Sequence, residues 1–151
     1  MKDRENAATS RKRIVIHEPY DNLRESLELI LGEDYCLFFA GTFDEALQEI
    51  GQHHTELFIL DVTDEDTGLK RIEETKRQFP DLTILITLIN PNWPFKEKAV
   101  RVGKAGIRFQ DKPYEAKELK YRVDLLINGD PDWRRSILRV AAVKSDISRL
   151  S

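Results

Sequence analysis

Short apolar runs alternate, along residues 13–128, with segments whose apolar positions recur every three or four residues. Arg13-Ile14-Val15-Ile16 is a β-branched run and predicts a strand. Leu23, Leu27, Ile30 and Leu31 then fall on one helical face that ends at Gly32. Residues 35–40 (Tyr-Cys-Leu-Phe-Phe-Ala) predict a second strand. Thr42 with Glu45 has the capping-box pattern, opening a helix through Ala46, Leu47 and Ile50. Leu57-Phe58-Ile59-Leu60 is apolar at every position, as a strand covered on both faces of a parallel sheet must be, and Asp61 follows at its carboxyl end. The next helix turns Leu69, Ile72 and Phe79 inward and is stopped by Pro80.

Residues 82–86 form the fourth predicted strand, ending at Thr87. The turn Asn90-Pro91-Asn92-Trp93-Pro94 leads into a helix with Phe95, Ala99 and Val102 on one face, where Trp93 is expected to pack. Gly103 and Gly106 mark its far end. A weak fifth strand over 107–110 precedes Asp111-Lys112-Pro113 and a helix carrying Leu119, Val123 and Leu126, closed by Asn128-Gly129.

Strict βα alternation requires right-handed crossovers, which place helices on both faces of one sheet. The expected fold class is therefore α/β, flavodoxin-like: a (βα)5 three-layer sandwich around a central parallel five-stranded sheet. Residues 1–12 have no apolar periodicity and read as a flexible leader, 13–128 as the domain, and 129–151 as a C-terminal helical extension. In that extension Asp130-Pro131 is a helix-opening pair, and Trp133, Ile137, Val140, Val143, Ile147 and Leu150 form an apolar stripe. Such a stripe needs a cover, either the domain itself or a second copy, which makes a homodimer through this helix one expectation. Arg134, Arg135, Arg139, Lys144 and Arg149 make the segment basic, but it is too short for a helix-turn-helix, which argues against DNA as a partner.

Composition narrows the class further. With 40% hydrophobic and 34% charged residues the chain suits a soluble globular domain, and a net charge of −3 supplies no broad positive field for nucleic acid. The single cysteine, Cys36, excludes an intrachain disulfide and a cysteine metal cluster, and its apolar surroundings predict a buried structural thiol. No apolar stretch reaches the roughly 18 residues of a membrane span and no signal-peptide pattern opens the chain, so the expected location is the cytoplasm. No Gly-rich phosphate loop follows the first strand, which disfavours a nucleotide-binding enzyme of the same topology.

In parallel α/β sheets ligands bind beyond the carboxyl ends of the strands, and those ends carry Glu18, Asp61, Thr87 and Lys112. Each residue alone has an ordinary structural explanation in turn capping or solvation. Together they suit phosphoryl chemistry: Asp61 as nucleophile, Thr87 as donor to a phosphoryl oxygen, Lys112 as a point charge, and Glu18 as an oxygen ligand for Mg²⁺.

The residues Phe58-Ile59-Leu60-Asp61-Val62, Ile84-Leu85-Ile86-Thr87, Lys104-Ala105-Gly106 and Lys112-Pro113, in that order, resemble the response-regulator receiver family (CheY-like) over about residues 13–128. The resemblance implies that Asp61 is the phosphoacceptor, Thr87 the switch hydroxyl, Phe109 the aromatic switch residue and Lys112 the lysine that precedes a cis proline. It also implies Mg²⁺ on Asp61, the carbonyl of Thr63 and Glu18; a sensor histidine kinase or phosphotransfer protein as donor; a downstream protein partner; and no enzymatic activity on another substrate.

The chain departs from the family in three places, one of them the segment from Gly106 to Lys112, which is one residue short. Aligned through Arg24, Pro19 stands where the family has its second acid, which is normally the direct metal ligand. The loop over 62–68 is one residue short and lacks the usual Met-Pro pair, leaving Asp64, Glu65 and Asp66 as replacement oxygens. These departures motivate the alternative of a phosphorylation-independent pseudo-receiver that acts as a protein-binding module.

Overall fold

The computed structural model describes residues 11–89 and 92–129. Five strands, β1 (Arg13–His17), β2 (Cys36–Phe39), β3 (Leu57–Val62), β4 (Thr83–Ile89) and β5 (Ile107–Lys112), alternate with five helices. These are α1 (Asp21–Leu31), α2 (Phe43–Gln52), α3 (Glu65–Gln78), α4 (Trp93–Gly103) and α5 (Ala116–Asn128). The strands form one parallel sheet in the order β2-β1-β3-β4-β5, the expected flavodoxin-like architecture.

A strand covered on both faces sends alternate side chains into different cores. Val15, Phe58, Leu60, Ile84 and Ile86 join Ala46 and Ile50 of α2, Ile72 of α3, and Phe95 and Ala99 of α4. Ile14, Ile16, Leu57, Ile59 and Leu85 join Leu27 and Leu31 of α1 and Leu119 and Val123 of α5. Continuing each strand by the same alternation puts Glu18, Asp61, Thr87 and Lys112 on the α1/α5 side, at the carboxyl edge of the sheet. Phe109 falls on the other side. One two-residue period thus assembles the four polar candidates from four strands.

Three strands run further than their apolar residues suggest. β3 extends to Val62, β4 to Ile89 and β5 to Lys112, because the ladder pairs Asp61 with Thr87, Leu88 with Asp111, and Ile89 with Lys112. The three site residues are therefore held inside hydrogen-bonded strands, where register sets their relative height. Cys36 is half-buried instead of buried, since β2 is an edge strand and all four of its positions are partly open. Trp93 also departs from expectation: it is 74% exposed. Asn92 caps α4, its side chain accepting from the Phe95 amide at 2.7 Å. Phe95, 1% exposed, takes the core position below the cap and leaves Trp93 facing out.

Caps close the other helices that frame the site. Thr42 Oγ1 accepts from the Glu45 amide at 3.1 Å, while the Glu45 carboxylate reaches back to the amide of Gly41 at 3.2 Å, one residue before the expected box partner. Asp64 caps α3, accepting from the Thr67 amide at 2.9 Å and the Thr67 hydroxyl at 2.7 Å. Lys12, placed with the leader from sequence, is tied to the domain through its carbonyl, which accepts from the Cys36 amide at 3.0 Å. Gly129 closes α5 with a φ of +72°. The C-terminal extension beyond it, with its stripe and the expected dimer contact, lies outside the described residues.

Gly68 lets α3 close onto the end of β3: a Cβ there would stand 2.6 Å from Cγ1 of Val62. Gly68→Ala is expected to cost about 1–3 kcal/mol by overpacking. Gly51, on α2, would place its Cβ an ordinary 3.5 Å from Phe79 Cζ, so Gly51→Ala is expected to gain roughly 0.5–1 kcal/mol from helix propensity. Urea unfolding of the two variants checks the pair, and a loss at Gly51 equal to that at Gly68 would refute the close-approach argument.

Candidate functional site

At the carboxyl edge of the sheet Lys112 Nζ donates to Asp61 Oδ1 and to Glu18 Oε1, both at 2.5 Å. All three residues are buried, with 8%, 7% and 2% of their surface exposed. The ammonium is a compact charge on a four-carbon stem, so from β5 it reaches past β4 and bridges carboxylates on β3 and beyond β1. Two carboxylates against one ammonium leave one negative charge unbalanced in a mostly water-free corner. That charge makes the site receptive to further positive charge.

The remaining oxygens are partly engaged. Asp61 Oδ2 accepts from Thr63 Oγ1 at 3.0 Å, and Glu18 Oε2 accepts from the Tyr20 amide at 3.4 Å. Arg24 fixes the turn after β1 by donating to the Glu18 carbonyl at 2.7 Å. Thr87, 2% exposed, stands opposite Asp61 in the β3–β4 ladder. The peptide bond between Lys112 and Pro113 is cis.

The structure thus brings Glu18, Asp61, Thr87 and Lys112 together, with Thr63 at the rim. Phe109 is apart from them, half-buried against the α2/α3/α4 core, with Lys96 Nζ 5.4 Å from its ring centroid. Lys96 also lies 3.7 Å from the Asp111 carboxylate.

The oxygen donors do not make an open Mg²⁺ shell, which needs near-octahedral ligands. Glu18 and Asp61 share Lys112, and Pro19 offers no carboxylate. Of the replacement acids, Asp64 is occupied as the α3 cap and Glu65 accepts from the Asn92 side chain. Among the described residues no three His, Cys, Asp or Glu side chains converge as metal ligands.

Two tyrosines that sequence reasoning passed over also sit in altered environments, Tyr114 beside this site and Tyr35 at the opposite, amino-terminal edge of the sheet. Tyr114, directly after the cis proline, has a buried hydroxyl with no hydrogen-bond partner among the described residues. Burial, then the charges of Glu18 and Asp61, push its pKa up to about 12. On the α1/α5 side Tyr35 Oη donates to Asp124 Oδ1 at 2.5 Å and accepts from Asn128 Nδ2 at 3.2 Å. Burial and the Asp124 carboxylate raise its pKa to about 12 as well. No spacing motif marks either tyrosine, because each environment is made by residues distant in sequence.

Both shifts favour the neutral phenol in the fold. Their contribution is present in full below the ordinary pKa of 10.0 and is lost as pH rises through about 12. Stability is accordingly expected to fall between pH 10 and 12, and Tyr35→Phe to flatten that decline. Denaturant midpoints across this range, with phenolate absorbance, check it; an unchanged slope in the variant would refute the assignment.

The sheet order and the site geometry define a receiver-type fold. No family model matches the sequence, and no curated protein matches it. Solved structures do. A response regulator from Thermotoga maritima superposes with a TM-score of 0.70 at 17% identity, covering 78% of this chain and 98% of that one. A CheY-like response-regulator receiver domain from Methanospirillum hungatei gives 0.69 at 21% identity, over 79% and 95% of the two chains. The beryllofluoride-activated NtrC4 receiver domain dimer gives 0.67 at 23% identity, over 76% and 95%. At these identities the likeness shows the fold: this chain has the fold of CheY-like response-regulator receiver domains. Among its described residues, no helix is long and apolar enough to cross a membrane.

Proposed function

We propose that this chain is a receiver domain of two-component signalling that accepts a phosphoryl group on Asp61 and passes its state on by protein contact. The observation that carries this reading is the Lys112 ammonium, 2.5 Å from the Asp61 carboxylate at the edge where Thr87 pairs with Asp61. A carboxylate oxygen of Asp61 is the nucleophile, Lys112 offsets charge on the incoming oxygens, and Thr87 donates a hydrogen bond to one of them. The donor is a sensor histidine kinase, a phosphotransfer protein or a small phosphodonor. The product is a modified side chain and a shifted conformational population, so the chain does not act as an enzyme on another substrate. Readout proceeds through Thr87 on β4 and Phe109 on β5, towards a downstream protein partner.

Incubating the full chain with acetyl phosphate or phosphoramidate tests this reading. The expected result is a gain of one phosphoryl in intact mass, with reductive cleavage of the acyl phosphate locating it at Asp61. A folded chain that gains nothing from either donor refutes phosphoacceptance and leaves the phosphorylation-independent binding module.

A further inference from the structure

Beside Asp61 lies a cleft of about 250 Å³ that reaches from Pro19 and His17 across Thr63 to Thr67 and Arg71 of α3. Thr67 and Arg71 are four residues apart and so share one helix face. Gly68 between them brings that face against the end of β3. The Arg71 guanidinium lies 5.3 Å from the centroid of the Phe43 ring, and Arg71 forms no ion pair with another described residue. The other groups on the cleft are accounted for: His17 Nδ1 is 3.2 Å from the Ala40 carbonyl, and the Asp64 carboxylate holds Thr67. An arginine without a carboxylate partner therefore lines the space beside a nucleophilic aspartate, on the side where Pro19 supplies no metal-binding oxygen.

Resting on the phosphoacceptor reading, we infer that the phosphoryl group on Asp61 extends into this cleft and is held there without Mg²⁺, with Arg71 adding positive charge to that of Lys112. A phosphoryl group brings about two negative charges, and Lys112 is already shared between two carboxylates. A second cation is needed at the phosphoryl oxygens. A guanidinium presents a planar fork of donors suited to two oxygens at once, and its position over Phe43 limits its freedom before the group arrives. With zwitterionic phosphoramidate, an Asp61 oxygen bonds to phosphorus as the P–N bond breaks. The nitrogen leaves with the bonding electron pair and its own three protons as neutral ammonia, leaving an acyl phosphate.

The test follows phosphoryl gain from phosphoramidate by intact mass in the wild-type chain, Arg71→Gln and Arg71→Lys, each in EDTA and in millimolar Mg²⁺. Thermal melts confirm that each variant is folded. The expected result is gain in EDTA at the rate seen with Mg²⁺, a loss on the order of tenfold in Arg71→Gln, and partial recovery in Arg71→Lys. The amide resonances of Asp61 and Thr63 are expected to show no saturable shift with Mg²⁺. Gain that requires Mg²⁺ overturns the inference while leaving Asp61 as acceptor. Gain that is indifferent to Arg71 overturns the role of the arginine. Absence of gain in every variant and condition takes down the phosphoacceptor reading and this inference with it.

Discussion

Lys112→Met is expected to destabilise the domain by about 3–5 kcal/mol, read from the urea midpoint at neutral pH. The stem of methionine fills much of the lysine volume, so the loss comes mainly from charge. With the ammonium gone, the carboxylates of Glu18 and Asp61, at 2% and 7% exposure, face each other across the same corner without a counter-charge. Desolvation of one buried carboxylate costs several kcal/mol, and here two are affected. The same substitution made in a chain that also carries Glu18→Gln and Asp61→Asn is expected to cost far less, because the buried negative charges are already absent. An equal cost in both backgrounds would assign Lys112 to packing and remove the electrostatic account of the site.

Asp61→Asn is expected to abolish phosphoryl gain completely while changing stability by about 1 kcal/mol or less. The amide is nearly isosteric, and its oxygen still accepts from Lys112, which keeps Glu18 as its ionic partner. What disappears is the anionic oxygen that bonds to phosphorus. The neighbours of Asp61 are poor substitutes, since Glu18 is 2% exposed against the same lysine and does not line the cleft, and the Asp64 carboxylate holds the Thr67 amide and hydroxyl. Intact mass after incubation with phosphoramidate checks this, with the urea midpoint alongside. A variant that still gains a phosphoryl places the acceptor on another residue and sinks the assignment. A variant that fails to fold would instead show that Asp61 is needed for the corner to close.

The two outcomes also separate the roles of the buried triad. Loss of stability without loss of acceptance, in variants of Glu18, would make that residue a holder of Lys112. Loss of acceptance without loss of stability, at Asp61, marks the reacting group. The triad of Glu18, Asp61 and Lys112 contains residues separated by as many as 94 positions, so its stability is also a measure of how well four strands keep their register.

Much of this was legible along the chain. Leu57-Phe58-Ile59-Leu60 is apolar at every position, and a strand of that kind belongs in a sheet covered on both faces. Together with the helical stripes at Leu27 and Leu31, at Ala46 and Ile50, and at Leu119 and Val123, it determined the parallel α/β order, because period and capping are local properties. The positions of Glu18, Asp61, Thr87 and Lys112 followed from that order, since each lies at or just beyond the carboxyl end of an expected strand. Ladder pairing, stacking and charge sharing are long-range, and only the tertiary structure decided them. It extended β3, β4 and β5 through their polar ends, left Trp93 outside because Phe95 fills the core, and gave Lys112 to two carboxylates at once. It also brought Arg71 from mid-helix to the edge of the Asp61 cleft and left the Tyr114 hydroxyl buried without a partner among the described residues. A sequence specifies which way each side chain alternates; how far apart two such side chains end up is set by the packing of every element between them.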